Sequence, residues 1–437
     1  MNYILLSGGS GKRLWPLSNN IRSKQFIKVF DNEKGEKESM LQRMYRGIKN
    51  FDKNGKIVVA TSKNQISEIT NQIGKEVSIS AEPCRKNTFP AIVLSALYLK
   101  DVLGVDENET VVVCPIDPYI DSSYFEALAK LNEIVNRNES NLVLMGIQPT
   151  EPSEKYGYII PKEKADVSFV KQFTEKPQEV QAIEYIKEGA LWNSGVFAFK
   201  IKYIIDRAHS IIPFVDYNDF FDQYESLTSI SFDYAVAEKE PSIQVMRFQG
   251  TWQDLGTWDA LTSAMGSKTI GAAILSDSSE NSNIVNETDI PIVCIGVKNL
   301  VVAASPDGIL VSDKSKTNDV KKYSEKMDAP IKYAEKSWGN YKVIDIGQHS
   351  STVKVILQNG HKMSYHSHQR RDEVWVVVSG EGTSVVDGIV QNVRPGDVIA
   401  IAAGCKHTIV ARTDLVLIEV QLGEDIDVKD KQKFELD

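Results

Sequence analysis

Three groups of residues in this chain have types and spacings that could do chemistry. The first is Ser7-Gly8-Gly9-Ser10-Gly11-Lys12-Arg13, directly behind the apolar run Tyr3-Ile4-Leu5-Leu6. Small residues after a strand let backbone N–H groups approach an anion closely, and Arg13 with the nearby Lys24 supplies charge that can follow a triphosphate. The second is a pair of carboxylates remote in sequence: Asp117, which follows the β-branched run Val111-Val112-Val113-Cys114-Pro115-Ile116, and Asp254, in Trp252-Gln253-Asp254-Leu255-Gly256-Thr257-Trp258. Two such aspartates can hold one Mg²⁺ against the α-phosphate of a nucleotide, because that ion takes oxygen ligands in octahedral array. The third is Gly360, His366, His368, Glu373 and Gly380 at G-x5-H-x-H-x4-E-x6-G, followed by Gly396, Gly404 and His407 at G-x7-G-x2-H. Three imidazoles and a carboxylate, converging inside a β-barrel, make a site for a divalent first-row ion such as Zn²⁺, Mn²⁺ or Fe²⁺. Alternation along a strand puts His366 and His368 on one face, as two ligands of one ion require.

Each group has a plainer alternative when taken singly. A Gly/Ser stretch after a strand is often only a turn, and an aspartate at such an end is often a helix cap or turn residue. Hydrogen-bonded core histidines are the alternative for the quartet, although His209, His349 or His361 fit that description better.

Two better-known phosphate loops are excluded by spacing. A Walker A loop needs Gly five positions before the Gly-Lys pair, where this chain has Leu6, and Ser or Thr where it has Arg13; a dinucleotide fingerprint starting at Gly9 needs Gly or Ala at Leu14. The net charge of −9 over 437 residues argues against a nucleic-acid surface, so bound phosphates must meet local cations. Cys84, Cys114, Cys294 and Cys405 are far apart with no C-x-x-C pair, which reads as reduced packing residues and points to a cytoplasmic location. No apolar stretch approaches the roughly 18 to 20 residues that cross a bilayer, and the N-terminus enters a strand without a charged leader, so neither export nor membrane anchoring is expected.

The elements that must position these residues follow from periodicity. β-branched runs alternate with helical patterns: Tyr3–Leu6 then Ser39–Lys49, Lys56–Thr61 then Lys63–Ile73, Val77–Ala81 then Asn87–Leu103, Thr110–Pro115 then Asp121–Asn136, and Leu142–Ile147. This predicts an α/β fold, Rossmann-like, with a mostly parallel sheet whose ligands sit at the strands' carboxyl ends. Ser39 and Asp121 are predicted N-caps, and Pro90 falls in the first turn of its helix, where a missing N–H costs nothing. After Gln148 the pattern turns to strands broken by turns: Tyr156–Ile160, Val167–Phe173 and Gly195–Lys200. From about Gly266 to Glu335 short strands at Ala272–Leu275, Ile292–Ile295, Leu300–Ala303 and Gly308–Val311 suggest a small β-rich module. From Trp338 onward, short strands with Gly turns and the apolar run Leu415–Val420 fit a compact β-barrel. The expected domains are 1–265, 266–335 and 336–437.

Further phrases fit a sugar site. In Phe173-Thr174-Glu175-Lys176-Pro177 a carboxylate can accept sugar hydroxyls while the ammonium meets a sugar phosphate. Trp192-Asn193-Ser194-Gly195 offers an amide and a Gly backbone against which a pyranose could pack. Each is equally a solvated or tight turn when read alone.

With Lys24-Gln25-Phe26, Arg85-Lys86-Asn87-Thr88, Pro115-Ile116-Asp117, Tyr156-Gly157-Tyr158 and Asp233-Tyr234-Ala235, these phrases in this order resemble the sugar-phosphate nucleotidyltransferase family across nearly the whole chain. The nearest type is the bacterial mannose-1-phosphate guanylyltransferases that carry a C-terminal cupin. The resemblance implies that Ser7, Gly8, Gly9, Gly11, Arg13 and Lys24 grip the nucleotide phosphates and that Asn87 with its neighbouring backbone helps read the base. It implies Mg²⁺ on Asp117 and Asp254, the sugar on Gly157, Glu175 and Asn193, and the sugar phosphate on Lys176. The implied reaction is attack of mannose 1-phosphate on the α-phosphorus of GTP, giving GDP-mannose and pyrophosphate. Another sugar 1-phosphate or another triphosphate, with a cupin that is not an isomerase, is the alternative. A homodimer is a family-level expectation.

The phrase from Tyr365 to Gly380 looks like the phosphomannose-isomerase-type cupin, which in bifunctional members interconverts fructose 6-phosphate and mannose 6-phosphate. Departures from the family pattern are Lys12 for Thr, Ser23 for Pro, Lys86 for Arg in Arg-Asn-Thr, and Ile116 and Pro118 in place of Ala and His. In the cupin, His366 stands for Gln, Gln369-Arg370-Arg371 for a His-rich run, Ala402 for Pro and Ala411 for Asn.

Overall fold

The computed structural model describes residues 1–9, 12–19, 21–327 and 330–435. They fall into two units: Met1–Arg13 with Ser23–Gly266, and Leu14–Arg22 with the chain from Ser267 onward.

In the first unit, the apolar runs of the N-terminal half all become strands of one sheet. Its nine strands lie in the order Ser78–Glu82, Lys56–Ser62, Asn2–Leu6, Thr110–Pro115, Leu191–Lys200, Leu142–Ile147, Ile243–Phe248, Val167–Thr174, Tyr158–Pro161. The first four are parallel, while Leu191–Lys200 runs antiparallel to both its long neighbours. Both faces are covered: Tyr3 and Leu5 belong to one core, Ile4 to the other. A strand buried on both sides carries continuous apolar sequence, which is why these runs show no polar alternation. Strand order reverses beside Asn2–Leu6, so connections leave in opposite directions there and open a crevice at the carboxyl ends of Asn2–Leu6 and Thr110–Pro115. The Ser7–Arg13 segment and Asp117 both emerge at that point.

The helices hold these strand ends in place. Ser39 caps Met40–Phe51 through a reciprocal box with Gln42. Asn87 caps Thr88–Leu97 from φ 70° and ψ −173°, a strained backbone that glycine adopts far more readily than asparagine. The expected helix Asn87–Leu103 is α-helical only to Leu97 and closes in a wider π-type turn at Tyr98–Val102. Asp121 accepts from the Ser123 backbone N–H at 2.9 Å and from Thr251 N–H at 2.6 Å, so it ties the helix Ser123–Asn136 to the segment leading into Asp254. Two strands start elsewhere than the sequence suggests. Leu191–Lys200 begins four residues before Gly195, because its first half is also buried on both faces, and an irregularity between Asn193 and Phe197 masks the repeat. The strand expected from Tyr156 begins at Tyr158, since Tyr156 turns toward Trp192 and Trp252 instead.

In the second unit, Thr269–Ile270, Asn283–Asn286 and Leu300–Ser305 pair in parallel, and Ala273–Leu275 pairs in parallel with Ile292–Cys294. Successive short parallel strands are the coil of a β-helix. Leu14–Arg22 packs within this unit. Ser305 donates to the Pro16 carbonyl at 2.7 Å, Asn19 donates to Asp307 at 2.7 Å, and Arg22 meets Glu287 through two bonds of 2.6 and 3.0 Å. A Cβ on Gly308 would lie 2.5 Å from the Trp15 ring, so only glycine lets the indole approach there.

The C-terminal part consists of a six-stranded and a five-stranded sheet, between which Trp375, Leu357, Ile409, Leu415 and Leu417 are buried. His366–His368 is a fully buried strand, paired with His407–Ala411 at His366↔His407 and with Lys431–Lys433. Among the described residues no helix is long and apolar enough to cross a membrane.

Candidate active site and candidate metal centre

At the crevice, the two aspartates meet. Asp117 follows Thr110–Pro115, and Asp254 ends the short strand Trp252–Asp254, which pairs with Pro118–Ile120 in the register Asp254↔Pro118. That ribbon places the two carboxylates side by side although 137 positions separate them in sequence. Lys24 joins them, its Nζ 2.8 Å from Asp117 Oδ2 and 3.5 Å from Asp254 Oδ1. Burial alone would depress the Lys24 ammonium, but Asp117 and then Asp254 outweigh it and hold the group above the ordinary lysine value. Burial would likewise raise Asp117, yet the Lys24 charge and hydrogen bond, helped by Arg13, keep it below the usual carboxylate range. Two oxygen donors focused on one cation form a donor set that suits Mg²⁺. A Cβ on Gly256 would lie 3.2 Å from both Asp254 oxygens and 3.5 Å from Arg13 Nη1, so Arg13 stands beside the same carboxylate.

The glycine-rich segment enters from the neighbouring strand. Ser7 is buried, and Gly8 and Gly9 are exposed. Ser10, Gly11 and the Lys12 side chain lie outside the described residues. Gln25 donates to the Ser7 carbonyl at 3.1 Å, and Ser23 donates to the Gly9 carbonyl at 2.7 Å. Sequence reading gave neither residue a role, although Lys24-Gln25-Phe26 was the signal that could have pointed to Gln25.

Beside the aspartates lies a cleft of about 270 Å³ lined by Asp117, Gly157, Glu175, Asn193, Asp233 and Asp254, among others. Gly157 is required by close approach. A Cβ there would lie 2.6 Å from Glu175 Oε2, 3.1 Å from Phe173 Cζ and 3.3 Å from Asn193 Cβ. Asn193 donates to Asp233 at 2.8 Å. Burial, then the charge of Glu175, push the Asp233 carboxyl up to about 6. Asp233 is a cleft residue to which sequence reading assigned no role, although Asp233-Tyr234-Ala235 stood among the phrases carrying the resemblance. Tyr156, with its ring 4.6 Å from Trp192 and 5.8 Å from Trp252, supplies an aromatic wall.

Lys176, expected on the sugar phosphate, and Asn87, expected at the base, do not line this cleft. Lys176 occupies a left-handed backbone position, φ 48°, with its ammonium on the Glu175 carboxylate. Asn87 is exposed, with its side-chain oxygen on the Thr88 N–H at 2.8 Å; Thr88 itself lines the cleft.

In the cupin, His366, His368 and His407 bring one ring nitrogen each within 4.8 Å of the others, all three buried. His366 Nδ1 donates to the Ser364 carbonyl at 2.6 Å, and His407 Nδ1 to the Cys405 carbonyl at 2.9 Å. Each bond fixes the proton on Nδ1 and leaves Nε2 as the electron-pair donor, the device by which outer partners orient imidazole ligands. His407 Nε2 and His368 Nδ1 are buried without a hydrogen-bond partner. Burial lowers His366 to about 3 and His368 to about 4, so both rings are neutral, as ligands must be.

Glu373 completes the group, with carboxylate oxygens 3.3 Å from His368 Nε2 and 3.3 Å from His407 Nε2. It also accepts from Arg371 Nε and from Trp375 Nε1, each at 3.1 Å. Arg371, a buried cation that sequence reading noted only as a departure, also donates to His368 Nε2 at 2.9 Å. His366 and His407 thus keep Nε2 lone pairs for a divalent ion, and His368 joins them where its Nε2 exchanges the Arg371 bond for the ion.

The chain matches the nucleotidyl transferase family over residues 2–269, the mannose-P isomerase/GMP-like β-helix domain over 271–327, and the mannose-6-phosphate isomerase C-terminal family over 325–436. It is 29% identical to a mannose-1-phosphate guanylyltransferase of Escherichia coli over 99% of this chain and 97% of that one. It is 30% identical to a xanthan biosynthesis protein of Xanthomonas campestris over 99% and 97%. Among solved structures, a protein from Thermus thermophilus titled mannose-1-phosphate geranyltransferase superposes with TM-score 0.63 at 26% identity, covering 75% of this chain and 99% of that one.

Two outcomes follow. Gly157→Ala should push Glu175 out of the cleft and raise KM for the sugar phosphate about tenfold, the equivalent of one hydrogen bond, with the nucleotide KM within about twofold; steady-state kinetics in both substrates reads this, and an unchanged sugar KM removes Glu175 from sugar contact. Elemental analysis of the purified protein should find roughly one first-row divalent ion per chain, and His366→Ala/His407→Ala should lose it with circular dichroism preserved.

Proposed function

We propose that this chain, which belongs to the nucleotidyl transferase family in its mannose-1-phosphate guanylyltransferase branch, transfers GMP from GTP to α-D-mannose 1-phosphate and releases pyrophosphate. The observation that carries this reading is the convergence of Asp117, Asp254 and Lys24 at the sheet's switch point, between an anion-ready loop and a sugar-sized cleft. No protein nucleophile is needed, because the attacking phosphate oxygen is already ionised; alignment and charge neutralisation suffice.

The residues then have separable tasks. The N–H groups of Gly8 and Gly9 and the Arg13 guanidinium receive the triphosphate, the Ser7 N–H being bonded to the Ala60 carbonyl at 2.9 Å. Glu175, Asn193 and Asp233 offer acceptors and a donor to the hydroxyls of the sugar, which packs on Tyr156. Lys176, next to Glu175, meets the sugar phosphate, and Asn87 with its neighbouring backbone borders the base. Lys24 holds the two carboxylates together and adds positive charge where negative charge accumulates. Mg²⁺ held by Asp117 and Asp254 would supply further neutralisation at the α-phosphate. In the C-terminal domain, we infer a divalent ion on His366, His368, Glu373 and His407. Interconversion of mannose 6-phosphate and fructose 6-phosphate is the activity to be assayed there once that ion is bound.

Pyrophosphate release should occur with GTP, mannose 1-phosphate and Mg²⁺ at a rate about a hundredfold above that with ATP, UTP or CTP. Release with UTP or CTP but not GTP would replace the base assignment, and turnover only with another hexose or heptose 1-phosphate would replace the sugar. Asp254→Asn should preserve the fold and lower kcat by about 10²- to 10³-fold, since a neutral amide would hold Mg²⁺ far more weakly than the carboxylate does; unchanged kcat would take Asp254 out of the reaction.

A further inference from the structure

The loop that must receive the triphosphate is serine and glycine from Ser7 to Gly9, and its one polar side chain, the Ser7 hydroxyl, is itself held by Gln25 Nε2 at 3.3 Å. Beneath it runs a chain of buried polar side chains. Thr61 Oγ1 donates to Gln65 Oε1 at 2.8 Å, Gln65 Nε2 donates to Ser23 Oγ at 2.5 Å, and Ser23 Oγ donates to the Gly9 carbonyl at 2.7 Å. Thr61, Gln65 and Ser23 are all 0% exposed. The direction of every bond is forced. A backbone carbonyl only accepts, so the Ser23 hydroxyl must donate to it; its oxygen then accepts from the Gln65 amide, whose own carbonyl is left for the Thr61 hydroxyl. Such a one-way chain polarises along its length and is worth more than its bonds taken separately. Gln25, 2% exposed, does the same for the Ser7 carbonyl at 3.1 Å.

We propose that Ser23, Gln65 and Thr61 are positioning residues for triphosphate binding: they hold the Gly9 carbonyl inward, so that the loop shows a phosphate its N–H edge instead of a repelling oxygen. A carbonyl dipole turned into the cleft would oppose an anion, whereas successive N–H groups with their carbonyls turned away form an anion-binding concavity. The device belongs to this chain's own sequence. Where the family pattern carries proline, this chain has Ser23 at φ −82° and ψ 161°, a backbone that proline could share but a hydroxyl that it could not supply.

The inference rests on the proposed transferase reading only for its choice of GTP. Inorganic tripolyphosphate, which has no base, reports on the loop whichever nucleotide the enzyme takes. Ser23→Ala and Gln65→Leu should each raise KM for GTP and the inhibition constant of tripolyphosphate about tenfold, with KM for mannose 1-phosphate within about twofold. The double variant should be no worse than either single one, because one broken link releases the same carbonyl. Thr61→Val, which keeps shape and removes only the far hydroxyl, should give a two- to threefold shift in the same direction, and it decides the matter if either other variant loses thermal stability. Constants for nucleotide and sugar that rise together, or tripolyphosphate inhibition equal to the parent's in folded variants, overturn the proposal.

Discussion

Two carboxylates held side by side in a half-buried crevice need a shared proton or a cation, and here the cation is Lys24, around which the transferase site is arranged. Asp117 and Asp254 repel each other; the Lys24 ammonium, 2.8 and 3.5 Å away, removes that repulsion while Lys24 itself lies only 15% exposed. The cost of burying the ammonium is offset because it has two partners, and the cost of concentrating the carboxylates is offset because they share it. Three different parts of the chain must therefore arrive together. The parallel strands deliver Asp117, the two-stranded ribbon with Pro118–Ile120 delivers Asp254, and the turn after the glycine-rich loop delivers Lys24. The sheet's switch point is the one place where a connection from the first strand and one from the fourth leave a gap wide enough for all three.

The parallel half of the fold was legible because a strand buried on both faces announces itself as an unbroken apolar run. Thr110–Pro115 and Leu142–Ile147 are found where composition places them. The same property hid the start of Leu191–Lys200, since a run without alternation gives no phase by which to locate its end, and the positive φ of Gly195 reads as a turn in the sequence while serving as a bend inside the strand. In the site, Asp117, Asp254 and Lys24 each had a plainer reading alone, but together with the glycine-rich loop their charges were legible as a phosphate and metal site. Residues that act through neighbours were not. Gln65 is a helix-approach glutamine by sequence and a buried link of the loop by structure. Asp233 looked like one letter of a family phrase, and its elevation to about 6 comes from burial and from Glu175, 58 positions away.

The C-terminal site shows another side of the same limit. The histidine spacing states that His366 and His368 share a strand face, and they do. It does not state which nitrogen each offers. For His366 that choice is made by the Ser364 carbonyl, and for His407 by the Cys405 carbonyl, each two residues before the ring it orients, and a backbone acceptor leaves no mark in a sequence pattern. Arg371 is a second unmarked element. Its guanidinium sits between Glu373 and His368; burial raises the Glu373 carboxyl, and the contacts of His407, then of His368 and Arg371, bring it below the usual carboxylate range. An ion arriving there meets the unpartnered Nε2 of His407, while His368 Nε2 is held by Arg371.

The loop at the start of the chain brings these threads together. Glycine and serine are what an anion-binding turn needs at its surface, because any larger side chain would stand between backbone and phosphate. The same choice deprives the turn of anything to hold it. Shape must then come from elsewhere, and Ser23 and Gln25 supply it by taking the Gly9 and Ser7 carbonyls. These two residues flank Lys24 in sequence, so the short turn Lys24–Phe26, with Ser23 at its start, carries both the cation for Asp117 and Asp254 and the side chains that fix the loop. Charge and shape at the phosphate site are thus set by one tripeptide, and a change in its backbone would move both together.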